Sequence, residues 1–200
     1  MSKVIVIAEG GTERAIRQHL KSFLDQRAGG LPKVRLNIVA LDGGLNEKSV
    51  RELAEGLLHD PEVVGVVALT DLYPKFSDTA TAVCAVSGWM PQDPRCHVAV
   101  AKHDFEAWLL AGWKAVLRQA RIPNKQPWAA QPEDINHEHP PAHRLRALFQ
   151  SGERPRKYEK SVDGRKLFEG LDLVGVAALC PELKRFLNCL LECAGYPVLP

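Results

Sequence analysis

Apolar positions along the chain alternate between two periods, and the first hundred residues switch between them repeatedly. Residues 3–8 form a short β-branched run, Val4-Ile5-Val6-Ile7-Ala8, of strand length. Residues 12–27 place Ala15, Ile16, Leu20, Phe23 and Leu24 at helical spacing, and Gly29-Gly30 ends that pattern. Residues 33–41 read as a second strand, followed by the turn Asp42-Gly43-Gly44. Asn46 is placed to cap a helix running through Leu58, with Val50, Leu53, Ala54 and Leu57 on one face. Residues 63–69 are almost continuously apolar, the mark of a strand covered on both faces. Ser77 or Asp78 opens a further helix to about Ser87, residues 96–101 give a fourth strand, and residues 105–119 another helix.

Strands separated by helices imply crossovers and a mainly parallel sheet flanked by helices, an α/β fold of the Rossmann-like kind. Residues 122–141 break the pattern. Pro123, Pro127, Pro132, Pro140 and Pro141 fall there with little apolar period, which predicts a long loop or lid. Helical spacing resumes at residues 143–150, 166–171, 173–179 and 181–193, with Pro181 in the first turn of the last helix. The expected division is an α/β domain over 1–121, a Pro-rich loop or lid over 122–142, and a mostly helical extension over 143–200 packing on the same core.

Composition narrows the class. Of 200 residues, 46% are hydrophobic, enough for an ordinary core. No apolar run approaches the ~18–20 residues that a membrane span needs, so no membrane partner is expected. The apolar start could mimic a signal peptide, but the acidic Glu9 arrives too soon for one. The five cysteines are odd in number and none is spaced C-x-x-C, which argues against a zinc ribbon and a secreted disulfide framework and favours the cytoplasm. Net charge is +2, with the excess in the second half and densest over residues 153–166. A basic stretch beside an acidic site suits a phosphate-bearing substrate, and equally describes a solvated loop.

Three acidic motifs follow apolar strands. Glu9 is followed by Gly10-Gly11 and Glu13, where glycines let the backbone turn sharply into a helix. Asp71 closes the third strand, ahead of Leu72-Tyr73. Asp104 and Glu106 follow the fourth, next to His103, with Asp104 as candidate cap of the following helix and Glu106 in its first turn. Each acid alone is explained by a turn or a helix dipole. Three at one edge of a parallel sheet, where such sheets bind ligands, form a constellation. Carboxylate oxygens of this kind suit Mg²⁺ or Mn²⁺, and such ions assist in-line displacement at phosphorus. A lysine would then neutralise charge on the phosphate. Lys160 is the first candidate and Lys166 the second, with Lys157 beside them. His137, His139 and His143 lie in the Pro-rich stretch without the helical H-E-x-x-H spacing of a zinc site. The tryptophans are expected in packing roles.

The acidic motifs resemble a TOPRIM domain, the fold shared by topoisomerases, primases and the overcoming-lysogenization-defect nucleases. Glu9-Gly10 and Asp71 match its two motifs in order and context, while Tyr73 stands where the second acid of Asp-x-Asp is usual. Across nearly the whole chain the sequence resembles the small TOPRIM-like proteins of domain-of-unknown-function family 4276. The matching segments are Glu9-Gly10-Gly11-Thr12-Glu13, Asp71-Leu72-Tyr73, His103-Asp104-Phe105-Glu106-Ala107-Trp108, Lys157-Tyr158-Glu159-Lys160 with Asp163-Gly164, and Cys180-Pro181 before a helix. That resemblance implies a metal-dependent nuclease-like site acting on nucleic acid, DNA ahead of RNA, and a possible ATPase partner in phage defence or DNA repair. In that reading Glu9, Asp71 and Glu106 hold the metal, Glu13 and Asp104 support it, and Lys160 assists at phosphate. A non-catalytic TOPRIM-like effector docking on an ATPase, or a nucleotide-binding module, remains open as an alternative. Oligomeric state is not read from the sequence.

Overall fold

The computed structural model describes residues 1–10, 15–41, 44–123, 125–126, 131–134 and 139–200. Its sheet has four strands: β1 (Lys3–Ala8), β2 (Arg35–Ala40), β3 (Val63–Asp71) and β4 (Cys96–Ala101). They lie in the order β2-β1-β3-β4 and every neighbouring pair is parallel. The register pairs Ala8 with Leu69 and Asp71 with Ala101. The strand ends that carry Glu9, Asp71 and the 102–106 segment therefore share one edge.

The unbroken apolar strands follow from burial on both faces. Alternate β1 residues separate cleanly. Val4, Val6 and Ala8 join the larger core with Val67 and Leu69, whereas Ile5 and Ile7 join a second core with Val66 and Ala68. The first face is covered by α1 (Arg17–Arg27) through Leu20, Phe23 and Leu24. The second is covered by α2 (Glu47–Leu58) through Val50 and Ala54, and by α3 (Thr79–Trp89) through Val86. The expected caps are present: Asn46 Oδ1 accepts from Ser49 N at 3.0 Å, and Asp78 Oδ1 accepts from Thr81 N at 2.8 Å.

The helix expected over residues 105–119 is two helices, α4 (Glu106–Ala111) and α5 (Trp113–Ala120), because Gly112 breaks it where Leu171 packs close. α6 (Pro141–Ser151) begins on Pro141. After a π-helical turn at Lys160–Gly164 come α7 (Arg165–Glu169), α8 (Leu173–Ala177) and α9 (Pro181–Ala194). α9 rests on β3 and β4, and it touches β3 so closely that a Cβ at Gly65 would overlap Cys193. Trp108 is fully buried and stacks on Phe186 with ring centroids 5.7 Å apart, while Phe105 stacks on Phe168 at 5.4 Å. These rings join α4 to α7 and α9 in the larger core. Among the described residues no helix is long and apolar enough to cross a membrane.

Candidate functional site: an acidic sheet edge with two lysines

Glu9 leaves β1 and turns back over the neighbouring strand. Its Oε1 accepts from Thr70 Oγ1 at 2.6 Å and from Lys75 Nζ at 3.1 Å. Lys75 also donates to Leu45 O at 3.2 Å. Gly44 makes room for this lysine: its φ is +88°, and a Cβ there would stand 2.8 Å from Lys75 Nζ. Sequence reading passed over both partners. Thr70, a hydroxyl inside an otherwise apolar strand, was the available signal.

Asp71 ends β3, and its Oδ1 accepts from Phe105 N at 3.0 Å, joining the strand end to the start of α4. Backbone bonds continue past the sheet, from Leu72 N to Ala101 O at 3.0 Å and from Tyr73 N to His103 O at 2.7 Å. His103 is buried at φ +70°, in the left-handed region that His occupies more readily than most side chains. Tyr73 is 42% exposed.

Asp104 stands at the start of its own helix, as the sequence suggests: its backbone oxygen accepts from Ala107 N at 3.0 Å. The residue before α4 is Phe105, in helical backbone with no side-chain cap. The Asp104 carboxylate also reaches a different helix, and its Oδ2 accepts from Ala142 N in the first turn of α6 at 3.1 Å. Its Oδ1 is buried without a hydrogen-bond partner. Burial, and then the charge of Glu106, push the Asp104 carboxyl up to about 7.

Glu106 is 1% exposed, and neither of its carboxylate oxygens receives a hydrogen bond. Lys160 Nζ stands 2.9 Å from Oε1 as an ion pair. Burial works against the lysine's charge, but Glu106, Asp104 and Asp71 outweigh it and hold its pKa above the ordinary value. A buried carboxylate with open lone pairs is costly in a folded protein, and a cation or water is the usual explanation.

Lys160 opens the π-helical turn, a local irregularity often found at functional sites. Asp163 fastens that turn: it accepts from Arg156 Nη1 at 2.7 Å, Arg156 Nη2 at 2.8 Å and Glu159 N at 2.8 Å. Burial raises its pKa, but the guanidinium and the backbone bond hold it below the usual carboxylate range. Tyr158 is packed on Phe149 with ring centroids 5.3 Å apart, and its hydroxyl is buried without a partner. Burial, followed by the charges of Glu106, Asp163 and Asp104, raises its pKa.

The remaining candidates are dispersed. Lys157 and Lys166 are exposed; Lys166 acts electrostatically on Asp163. Gly10 follows Glu9 directly. Gly11, Glu13, His137 and Trp128 lie outside the described residues. Among the described residues, no three His, Cys, Asp or Glu side chains lie close enough together to hold one ion. As placed, the edge has two acidic centres, Glu9 with Lys75 and Asp104/Glu106 with Lys160, and Asp71 ends the strand between them.

One functional neighbour escaped sequence reading altogether. Glu133, in the Pro-rich stretch, is buried, and its Oε1 accepts from Trp108 Nε1 at 2.8 Å and Leu183 N at 3.2 Å. Its Oε2 accepts from Glu182 N at 3.1 Å. Beside it, Lys102 pairs with Asp134 at 3.0 Å. Described parts of the stretch expected to be a lid are thus tied to residues 102–108, the segment carrying the acidic pair.

The open oxygens of Glu106 and Asp104 fit the chemistry of a hard divalent cation, whose ligands are oxygens. A solved structure of similar fold is the C-terminal region of the Burkholderia pseudomallei OLD protein, with a TM-score of 0.52 and 16% identity over 96% of this chain and 98% of that one. That likeness concerns the fold. No curated protein matches the sequence. The model of the family described as "Domain of unknown function (DUF4276)" matches residues 8–191, and with that span the chain belongs to this family.

Proposed function

We propose that the chain is a Mg²⁺- or Mn²⁺-dependent phosphodiester hydrolase acting on nucleic acid, with a TOPRIM-like acidic edge. The observation that carries this reading is Glu106, a fully buried carboxylate with both oxygens free of hydrogen bonds and a single lysine as counter-charge. Glu106, Asp71 and Glu9 would hold the ion once it draws the two acidic centres together, with Asp104 and Glu13 in support. A bound divalent cation would supply Lewis-acid stabilisation of the charge developing on a phosphate. Lys160 contributes a second positive charge at the same carboxylate. Its side chain is 44% exposed, so the four-carbon stem can swing toward a phosphate and leave Glu106 to the ion. DNA ahead of RNA as substrate, a cytoplasmic setting, and an ATPase partner in phage defence or DNA repair complete the proposal; the OLD-like fold supports it. The test compares cleavage of a labelled oligonucleotide in Mn²⁺ by the wild type and Glu106→Gln. Equal cleavage by the two removes the assignment.

A second reading has its own support. Glu9 and Glu106 are each already paired with a lysine, and Tyr73 stands where a second acid would complete the motif. On that reading the edge is degenerate and the protein is an effector or adaptor that docks on an ATPase. Titration with millimolar Mn²⁺ separates the two, since the adaptor binds none.

A further inference from the structure

A different feature gathers positive charge away from the acidic edge. α5 ends on Arg121, whose φ of 56° and ψ of 49° are left-handed. Gly or Asn fills such a helix end at little cost, whereas other residues pay roughly 1–2 kcal/mol. The chain leaving α6 crosses this end so closely that a Cβ at Gly152 would collide with the Ala120 carbonyl oxygen. Glu153 N then donates to Arg121 O at 3.1 Å, and Arg156 N donates to Phe149 O at 3.0 Å. The backbone between them is held at both ends.

These contacts shape a recess of about 120 Å³ lined by Gln119, Ala120, Arg121, Phe149, Arg154 and Arg156. Three guanidinium residues line it and no carboxylate does. Arg156 is fixed, with its guanidinium carbon 4.5 Å from the Phe149 ring centroid and a fork-to-fork pair to Asp163. Among the described residues, the Arg121 and Arg154 side chains make no hydrogen bond or ion pair. Like charges brought together on a fixed backbone are relieved by an anion, and the planar guanidinium matches phosphate oxygens in pairs. At about 120 Å³ the recess has room for a phosphate group.

We infer that the recess of Arg121, Arg154 and Arg156 is an anchoring subsite for a backbone phosphate of a nucleic-acid strand. It rests on the nucleic-acid reading of the acidic edge and extends it to substrate binding. Arg156 is common to both places: through Asp163 it fastens the turn from which Lys160 reaches Glu106. A strand held at the recess therefore engages the same short basic segment that carries the lysine.

The test is fluorescence anisotropy of a labelled single-stranded DNA oligonucleotide in EDTA, where no cleavage occurs, over about 50 to 200 mM salt. Arg121→Gln/Arg154→Gln lowers affinity about tenfold, and its log–log salt slope is shallower by about 0.7, the value for one phosphate contact on a single strand. Lys33→Gln, ahead of β2 at the opposite sheet edge, leaves both unchanged. Arg154→Glu, at an exposed position, gives a second variant should the double one fold poorly. Wild-type affinity and slope in either folded variant overturn the inference. So does an equal loss in Lys33→Gln, which would mark diffuse attraction. An unchanged slope together with a wild-type Tm raised by inorganic phosphate reassigns the recess to a free anion and also overturns it. Failure here leaves the Glu106→Gln cleavage result standing, and failure there leaves this one readable.

Discussion

Lys160 Nζ and Glu106 Oε1 lie 2.9 Å apart, and the two ends of this pair have opposite surroundings: the glutamate is 1% exposed and the lysine 44%. Removing the lysine strands a charge in the core, whereas removing both ends does not. Lys160→Met is expected to cost about 2 kcal/mol, below the ~3–5 of a fully buried pair because water screens the lysine end. Lys160→Met/Glu106→Gln recovers most of that loss. Urea denaturation of the four proteins in the cycle measures it; a double-variant loss equal to the sum of the two single losses would show that the pair carries no coupling.

Asp104 gives stability a pH dependence with a defined sign. Its folded pKa of about 7 stands above the ~3.9 of an unfolded aspartate. Between those values the folded chain holds a proton that the unfolded chain has released, so stability falls as pH rises through this window and levels off above about 7. The slope is at most ~1.4 kcal/mol per pH unit. Asp104→Asn keeps an oxygen for Ala142 N and removes the titration. Urea midpoints taken across the window should slope for the wild type and be flatter for the variant.

Glu133 satisfies three buried donors with one carboxylate. Glu133→Ala leaves Trp108 Nε1 and two amides at the start of α9 without their acceptor, at ~1–3 kcal/mol for each orphaned group. Water entering the space offsets part of this, and a loss of about 3 kcal/mol is expected. Glu133→Gln keeps one acceptor oxygen and loses about half as much. Thermal unfolding by circular dichroism ranks the two variants, and the reverse order would contradict the clasp.

Gly65 is the point where α9 rests on β3, and any side chain there meets Cys193. Gly65→Ala forces the helix outward and is expected to cost about 3 kcal/mol, at the upper end of overpacking. Gly56, where an added Cβ meets nothing nearby, is the control, and Gly56→Ala is expected to stabilise by ~0.5–1 kcal/mol as an interior helix glycine. Comparing their Tm values tests the contact.

The strand ends were legible because an apolar run that stops on a carboxylate marks both a boundary and a candidate ligand. Glu9, Asp71 and Glu106 share one sheet edge for that reason. Caps made by neighbours three residues away, such as Asn46 and Asp78, were legible too. Partners far along the chain were not. Asp104 reads as a local cap, but nothing near it in the sequence shows that Ala142 N also faces it, and no periodicity marks Glu133 among prolines. Lys75 reaches Glu9 only because Gly44 clears its path. The break at Gly112 reflects packing against Leu171, which helical spacing alone does not register.

The clasp of Glu133 on α9 also sets an order in time. A nascent chain that has emerged only through α4 carries Glu9, Asp71 and Glu106, but not the lysine that faces Glu106 or the helix that covers β3 and β4. Glu106 gains its counter-charge only after residue 160 emerges, and the sheet its backing only after α9 docks. Translation thus assembles the carboxylates first and the restraint of Glu106 last: a half-made chain already holds the partners of Glu9 and Asp71 but not the lysine of Glu106.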